Sequence, residues 1–186
     1  MGSTIDPMPV PSTPELALAA ASDLEDQLTA FFETHYERMT RLAGLICHSG
    51  VPAEDAVQAA MEQAWRRRAS LHDPTRMRWW LDRIVVREAI RMNRRPWWTR
   101  LAHQAAEGQA ELLADSSREM TAERMALAAA FWALPVEQRA ACVLHLHLGY
   151  GVAETAELIG VPLETIRSRL RLARRRLRAE LVEDES

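Results

Sequence analysis

The stretch Val152 to Arg178, VAETAELIGVPLETIRSRLRLARRRLR, constrains the fold more than any other part of the chain. It reads as a short helix, a glycine turn at Gly160 and a longer helix carrying seven arginines. On the longer helix Ile166, Leu170, Ala173, Leu177 and Leu181 recur at helical spacing and form one apolar face. Arg167, Arg171, Arg174 and Arg178 form a second stripe, rotated roughly a quarter turn from the first. A helix that seats one face on a bundle and offers a row of guanidinium groups beside it suits a DNA major groove. The pattern is that of a helix-turn-helix with its recognition helix near the C-terminus.

The rest of the chain reads as helical too. Ala, Leu, Arg and Glu dominate, while β-branched and aromatic residues are scarce, which predicts an all-α protein. Residues 1–21, with prolines at 7, 9, 11 and 14, read as a flexible tail, with at most a short helix from Pro14 to Ala21. A first helix is predicted from an N-cap near Ser22 or Asp23 through Leu28, Phe31, Phe32, Tyr36, Met39, Leu42 and Ile46. A second follows Pro52, with Ala56, Val57, Ala60, Met61, Ala64 and Trp65 inward. A third, Arg76 to Asn93, turns Trp80, Leu81, Ile84, Val85 and Ile90 inward. Residues 22–97 then form one small domain, 98–121 an acidic linker and 122–182 a second domain. That second domain opens with Met125, Leu127, Ala128, Phe131, Trp132 and Leu134, and a helix after Pro135 turns Ala140, Val143, Leu144 and Leu146 inward.

Charge is segregated along the sequence. Residues 65–103 carry 11 basic and 3 acidic side chains and residues 163–186 carry 7 and 5, whereas residues 1–64 and 104–162 are acidic. The overall net charge of −3 conceals two basic surfaces of the kind that bind nucleic acid. All 23 basic residues are arginine, whose planar fork reads guanine and phosphate bidentately. In the first basic block the arginines interleave with Trp79-Trp80 and Trp97-Trp98. Phosphates meet arginines and unstacked bases meet aromatic faces in single-strand binding, so this block suits single-stranded nucleic acid. In the helix-turn-helix, Pro162 suits the first turn, placing Glu164 and Thr165 at the end presented to bases. Arg167 and Arg171 are the best guanine readers; Ser168, Arg174 and Arg175 suit phosphates. Acidic Glu54 and Asp55 in the first turn of the second helix complement its dipole and by themselves require no further role.

Catalysis and cofactors find no support. Cys142, His145 and His147 do not converge on one helix face, and no metal-binding or phosphate-loop motif is present. Cys47 and Cys142 each sit in an apolar run and read as buried free thiols of a cytoplasmic protein. No run is long and apolar enough for a membrane span, and the N-terminus lacks the basic start and apolar core of a secretory signal.

Taken in order, AEDAVQAAMEQAW (Ala53–Trp65), WLDRIVVREAIRMNRR (Trp80–Arg95), Ala133-Leu134-Pro135 with Gln138-Arg139, and GVPLETIRSRL (Gly160–Leu170) resemble bacterial sigma factors of the extracytoplasmic-function (ECF) type. The resemblance spans roughly residues 24–97 and 122–182, the second and fourth sigma regions. It implies a non-enzymatic, cofactor-free factor that binds core RNA polymerase through the clamp helices of the largest subunit and the flap of the second-largest. Promoter DNA is engaged both as duplex and as single strand, and control by an anti-sigma factor is compatible with the absence of a sensor domain. Residue by residue, the resemblance assigns Glu54, Asp55, Gln58 and Glu62 to polymerase. It assigns Arg76, Arg78, Trp79, Trp80, Arg83, Arg87, Arg91 and Arg94 to the −10 element. Glu164, Thr165, Arg167, Ser168, Arg171, Arg174 and Arg175 fall to the −35 element. The acidic linker is expected to lie in the RNA path. Arg87 and Arg91 stand where the family commonly has asparagine and aspartate, Leu172 where arginine is usual, and Glu164 where glycine is frequent, so a changed promoter preference is expected. The rival readings are a homodimeric helix-turn-helix regulator and a helical adaptor with no DNA contact.

Overall fold

The computed structural model describes residues 13–47, 53–94 and 122–183, and among them every regular element is a helix or helical turn. The N-terminal half comprises α1 (Thr13–Ile46), α2 (Ala53–Arg66) and α3 (Met77–Asn93), with two short 3₁₀ turns, Arg68–Ser70 and Pro74–Arg76, between the last two. The C-terminal half comprises α4 (Ala122–Trp132), α5 (Val136–Cys142), α6 (Val152–Ile159) and α7 (Leu163–Glu183). The acidic linker of residues 98–121, Trp98 included, and Trp97 before it lie outside the described residues.

Helical periodicity sorts the core as the sequence predicts. Leu28, Phe32, Met39, Leu42 and Ile46 of α1 meet Ala56, Val57, Ala60 and Ala64 of α2 and Leu81, Ile84, Val85 and Ala89 of α3. The small α2 side chains let the three helices approach closely. Ile166 and Ala173 bury the apolar face of α7, with Leu170 and Leu177 half-buried beside them. Cys47 and Cys142 are both buried and free. Burial pushes the Cys47 thiol up to about 11. Native protein at pH 8 is therefore expected to resist iodoacetamide at Cys47 and to be labelled only after denaturation, a difference peptide mass spectrometry reads directly.

Four local expectations give way. Helix α1 begins at Thr13 rather than near Ser22, because Pro14 tolerates the first turn and the Ala- and Leu-rich run after it favours helix. Asp23 is consequently a mid-helix residue, accepting from Gln27 at 2.7 Å rather than capping. Trp65 is exposed, since Ala64 takes the inward position and Trp65 lies about 100° further round, under Arg68 (5.2 Å from guanidinium carbon to ring centre). Met125 and Leu127 are also exposed, flanking the half-buried Ala126 and buried Ala130 through which α4 meets α7. Leu146 is 60% exposed because α5 ends in a wide π-type turn over Val143–His147. There the Leu148 amide donates to the Val143 carbonyl at 2.9 Å, and the five-residue step shifts each later side chain off the α-helical register.

The two halves share one core. Ala140, Val143, Leu144, Leu158, Ile159 and Ile166 join the same buried cluster as the residues of α1 to α3, and α3 packs directly on α6. Each of the buried valine, leucine and isoleucine side chains among them contributes about 1.5–3 kcal/mol relative to exposure.

Candidate nucleic-acid interface

The helix-turn-helix is formed by α6, a tight turn and α7. At its start the Gly151 amide donates to the Glu154 carboxylate at 2.7 Å. At its end Gly160 adopts φ 84°, a left-handed conformation that reverses the chain while its amide and that of Val161 donate to the Ala156 carbonyl. With Ile166 and Ala173 buried, Arg167, Arg171, Arg174, Arg175 and Arg178 are all exposed. Thr165 and Ser168 are half-buried beside them. Glu164 and Arg167 pair with each other across one turn, so the N-terminal end of α7 presents a neutralised pair and Arg171 is the nearest unneutralised guanidinium on the stripe.

The eight residues expected at the first basic surface divide. Arg76 and Arg83 both lie close to the Trp79 ring, with guanidinium carbons 4.7 and 5.8 Å from its centre. Arg78 is exposed nearby and Trp80 is half-buried against the core. Trp79 and Arg83 line one groove with Arg87, while Arg78 lines a separate one beside Phe31 and Thr75. The other three arginines turn to protein partners. Arg87 donates from Nε to the Leu158 carbonyl (2.9 Å) and from Nη2 to the Glu157 carbonyl (3.0 Å). Burial and the neighbouring Arg83 and Arg67 press its guanidinium below the usual range. Arg91 pairs with the buried Glu88 and Arg94 with Glu137, each at 2.7 Å. On α2, Glu54, Gln58 and Glu62 share one exposed face at successive four-residue steps, with Asp55 half-buried beside Glu54. Glu62 also pairs with Arg66 at 2.9 Å.

Sequence reading missed the polar groups between these surfaces. Asp82, fully buried in α3, accepts both Arg38 guanidinium nitrogens (2.8 and 2.5 Å) and the Tyr150 hydroxyl (2.8 Å). The one available signal is a carboxylate between Leu81 and Ile84, an inward position where a charge needs partners. Hydrogen bonding to Asp82 pushes the Arg38 guanidinium up. Burial first, then the Asp82 charge, pushes the Tyr150 phenol up to about 12. An unfolded tyrosine ionises near 10, so the stability Tyr150 contributes is complete below that pH and is lost as pH rises toward 12. Thermal melts of wild type and Tyr150→Phe from pH 9 to 12 are expected to converge as the wild type loses this contribution; parallel curves would contradict the assignment.

Comparison with known proteins places these elements in a family frame. Residues 31–99 match Sigma-70 region 2 and residues 124–177 match Sigma-70, region 4. The chain is 36% identical over 152 residues to the ECF RNA polymerase sigma factor SigM of Mycobacterium tuberculosis, covering 82% of this chain and 74% of that protein. It is 27% identical over 154 residues to the RNA polymerase sigma-E factor of Streptomyces coelicolor, covering 82% and 84%. Its fold is similar to CnrH, solved in complex with the cytosolic domain of CnrY (TM-score 0.57, 23% identity, 92% of this chain and 97% of that one). It is also similar to RpoE of Bartonella quintana, solved with the anti-sigma factor NepR (TM-score 0.52, 21% identity, 88% and 96%).

Proposed function

The chain belongs to the sigma-70 family of RNA polymerase sigma factors, in its extracytoplasmic-function class, and from that premise we propose how its residues divide the work of initiation. The protein binds core RNA polymerase, recognises −35 and −10 promoter elements and promotes DNA melting. Sigma factors are non-catalytic initiation factors, and this chain acts by positioning and strand capture rather than by covalent chemistry. A homodimeric helix-turn-helix regulator is not favoured, since matches to both sigma regions occur in order along one chain.

The −35 assignment rests on one observation: a stripe of exposed arginines on α7 beside a buried Ile166–Ala173 face. Glu164, Thr165 and Arg171 read base edges in the major groove, while Arg174 and Arg175 hold phosphates. Arg167 joins the readers when DNA draws it from Glu164. On the first basic surface, Arg76, Arg78, Trp79, Trp80 and Arg83 meet the −10 element, guanidinium groups holding phosphates while the indoles stack on unpaired bases. Glu54, Asp55, Gln58 and Glu62 form the acidic face offered to the polymerase clamp. No helix among the described residues is long and apolar enough to cross a membrane, and action with the cytoplasmic polymerase accords with that.

Arg171→Ala separates reading from holding. Its loss is expected to cost about 1–3 kcal/mol on the preferred −35 duplex and to relax preference at one base pair. Equal weakening on every sequence, with a reduced salt dependence, would instead make Arg171 a phosphate contact.

A further inference from the structure

Glu164 and Arg167 stand on the end of α7 that a helix-turn-helix presents to base edges. At about 100° per residue, Glu164, Arg167 and Arg171 fall within roughly 60° of one another, on the side of the helix away from the buried Ile166 and Ala173. Both members of the pair are open to solvent, Glu164 with its side chain 75% exposed and Arg167 60%, and Arg167 Nη1 donates to Glu164 Oε1. In the free protein the bond is weak. A carboxylate in a first helical turn complements the dipole, and an exposed ion pair of this kind contributes little. The pair is therefore easily parted, and the bases it meets in the groove decide whether it parts.

The major groove treats the two charges oppositely. Guanine offers a guanidinium two acceptors, O6 and N7, which it meets bidentately. A carboxylate finds a donor only in the amino groups of cytosine and adenine, and beside the adenine amino group stands the N7 acceptor, which repels it. Thymine O4 and both guanine acceptors repel it as well. Glu164 thus rejects as much as it recognises, admitting cytosine and disfavouring the other three bases. Three residues rise about 4.5 Å along the helix, close to the step of about 3.4 Å between base pairs, so the two side chains reach neighbouring pairs. Where cytosine is missing, Glu164 finds no good donor on the DNA and keeps Arg167, and the neighbouring guanine goes unread.

We propose that Glu164 and Arg167 act as one specificity-determining unit, selecting a −35 element in which a cytosine facing Glu164 adjoins a guanine facing Arg167. This unit rests on the reading of α7 as the −35 helix and names the base step that helix accepts. Binding exchanges the Glu164–Arg167 bond for a Glu164–cytosine bond and an Arg167–guanine bond. The two preferences are therefore coupled, and losing either base weakens the use of the other.

The test uses the full chain assembled with core polymerase, selecting from promoter duplexes randomised across the −35 element and sequencing those retained. Wild type is expected to retain neighbouring cytosine and guanine, and replacing that cytosine should weaken binding roughly five- to hundredfold. Glu164→Gln is the sharpest variant, because a carboxamide pairs bidentately with adenine N6 and N7: preference at that one position should move from cytosine to adenine. A carboxylate with a merely structural role would change affinity on every sequence alike and move no preference. Glu164→Gly should make the position indifferent, and Arg167→Ala should lose the adjoining guanine. With wild type, replacing both bases should cost less than the product of the two single replacements. A wild-type motif without the cytosine, a motif that Glu164→Gln leaves unchanged, or independent base effects would overturn the unit while leaving the −35 reading intact. Retention of duplex with no −35 preference at all would overturn the −35 reading of α7, and the unit with it.

Discussion

Asp55→Arg is expected to abolish assembly with core RNA polymerase while leaving the helices folded. Asp55 stands in the first turn of α2, adjacent to the exposed Glu54–Gln58–Glu62 face. Losing an acidic residue there removes about 0.3–1 kcal/mol of helix-dipole stabilisation, small against the 5–15 kcal/mol typical of a folded domain. At a complementary interface, juxtaposing like charges costs several kcal/mol, a loss of roughly a hundredfold or more in affinity. Because Asp55 is half-buried, Glu54→Arg on the exposed face serves as the companion substitution. Both are read by co-migration with core polymerase on gel filtration, beside circular dichroism of the free protein. Normal assembly by both variants would remove α2 from the interface.

The second large effect is expected at Arg139, and it concerns stability. Its side chain is buried, with Nε donating to the Ile46 carbonyl and Nη1 to the Trp132 and Leu134 carbonyls, and its guanidinium carbon lies 5.2 Å from the centre of the Trp132 ring. Burial presses the guanidinium below its ordinary range, and three carbonyl oxygens accept its hydrogen bonds. Arg139→Met keeps much of the volume and deletes every donor. Each buried carbonyl left without a partner costs about 1–3 kcal/mol, and these penalties are not fully additive. A total near 3–5 kcal/mol lowers Tm by roughly 10 °C for a chain of this size. Arg175→Met, at an exposed position, is the control and should stay within about 0.5 kcal/mol. Equal melting of the two variants would show that Arg139 holds nothing together.

The helices and their inward faces are legible from the chain because periodicity records burial. Ile166, Ala173, Val57 and Val85 were all readable that way, as was the exposed arginine stripe of α7. What periodicity cannot record is which surface meets which. Arg87 has the same sequence signature whether it donates to a phosphate or to the carbonyls of α6, and in this fold it does the latter. Arg91 and Arg94, paired with Glu88 and Glu137, illustrate the same ambiguity. The Arg38–Asp82–Tyr150 group joins residues 44 and 68 positions apart, so no local pattern predicts it. Leu146 fails for a different reason: the π-type turn breaks the period on which its inward placement depended.

A sigma factor directs core polymerase to a promoter and opens the duplex there. Run-off transcription with purified core polymerase tests it most directly, on templates recovered by genomic selection with the reconstituted holoenzyme. Transcripts of defined start that require the added protein and that disappear with Asp55→Arg are expected. Transcription by core polymerase that is unchanged by the protein on every selected template would contradict it.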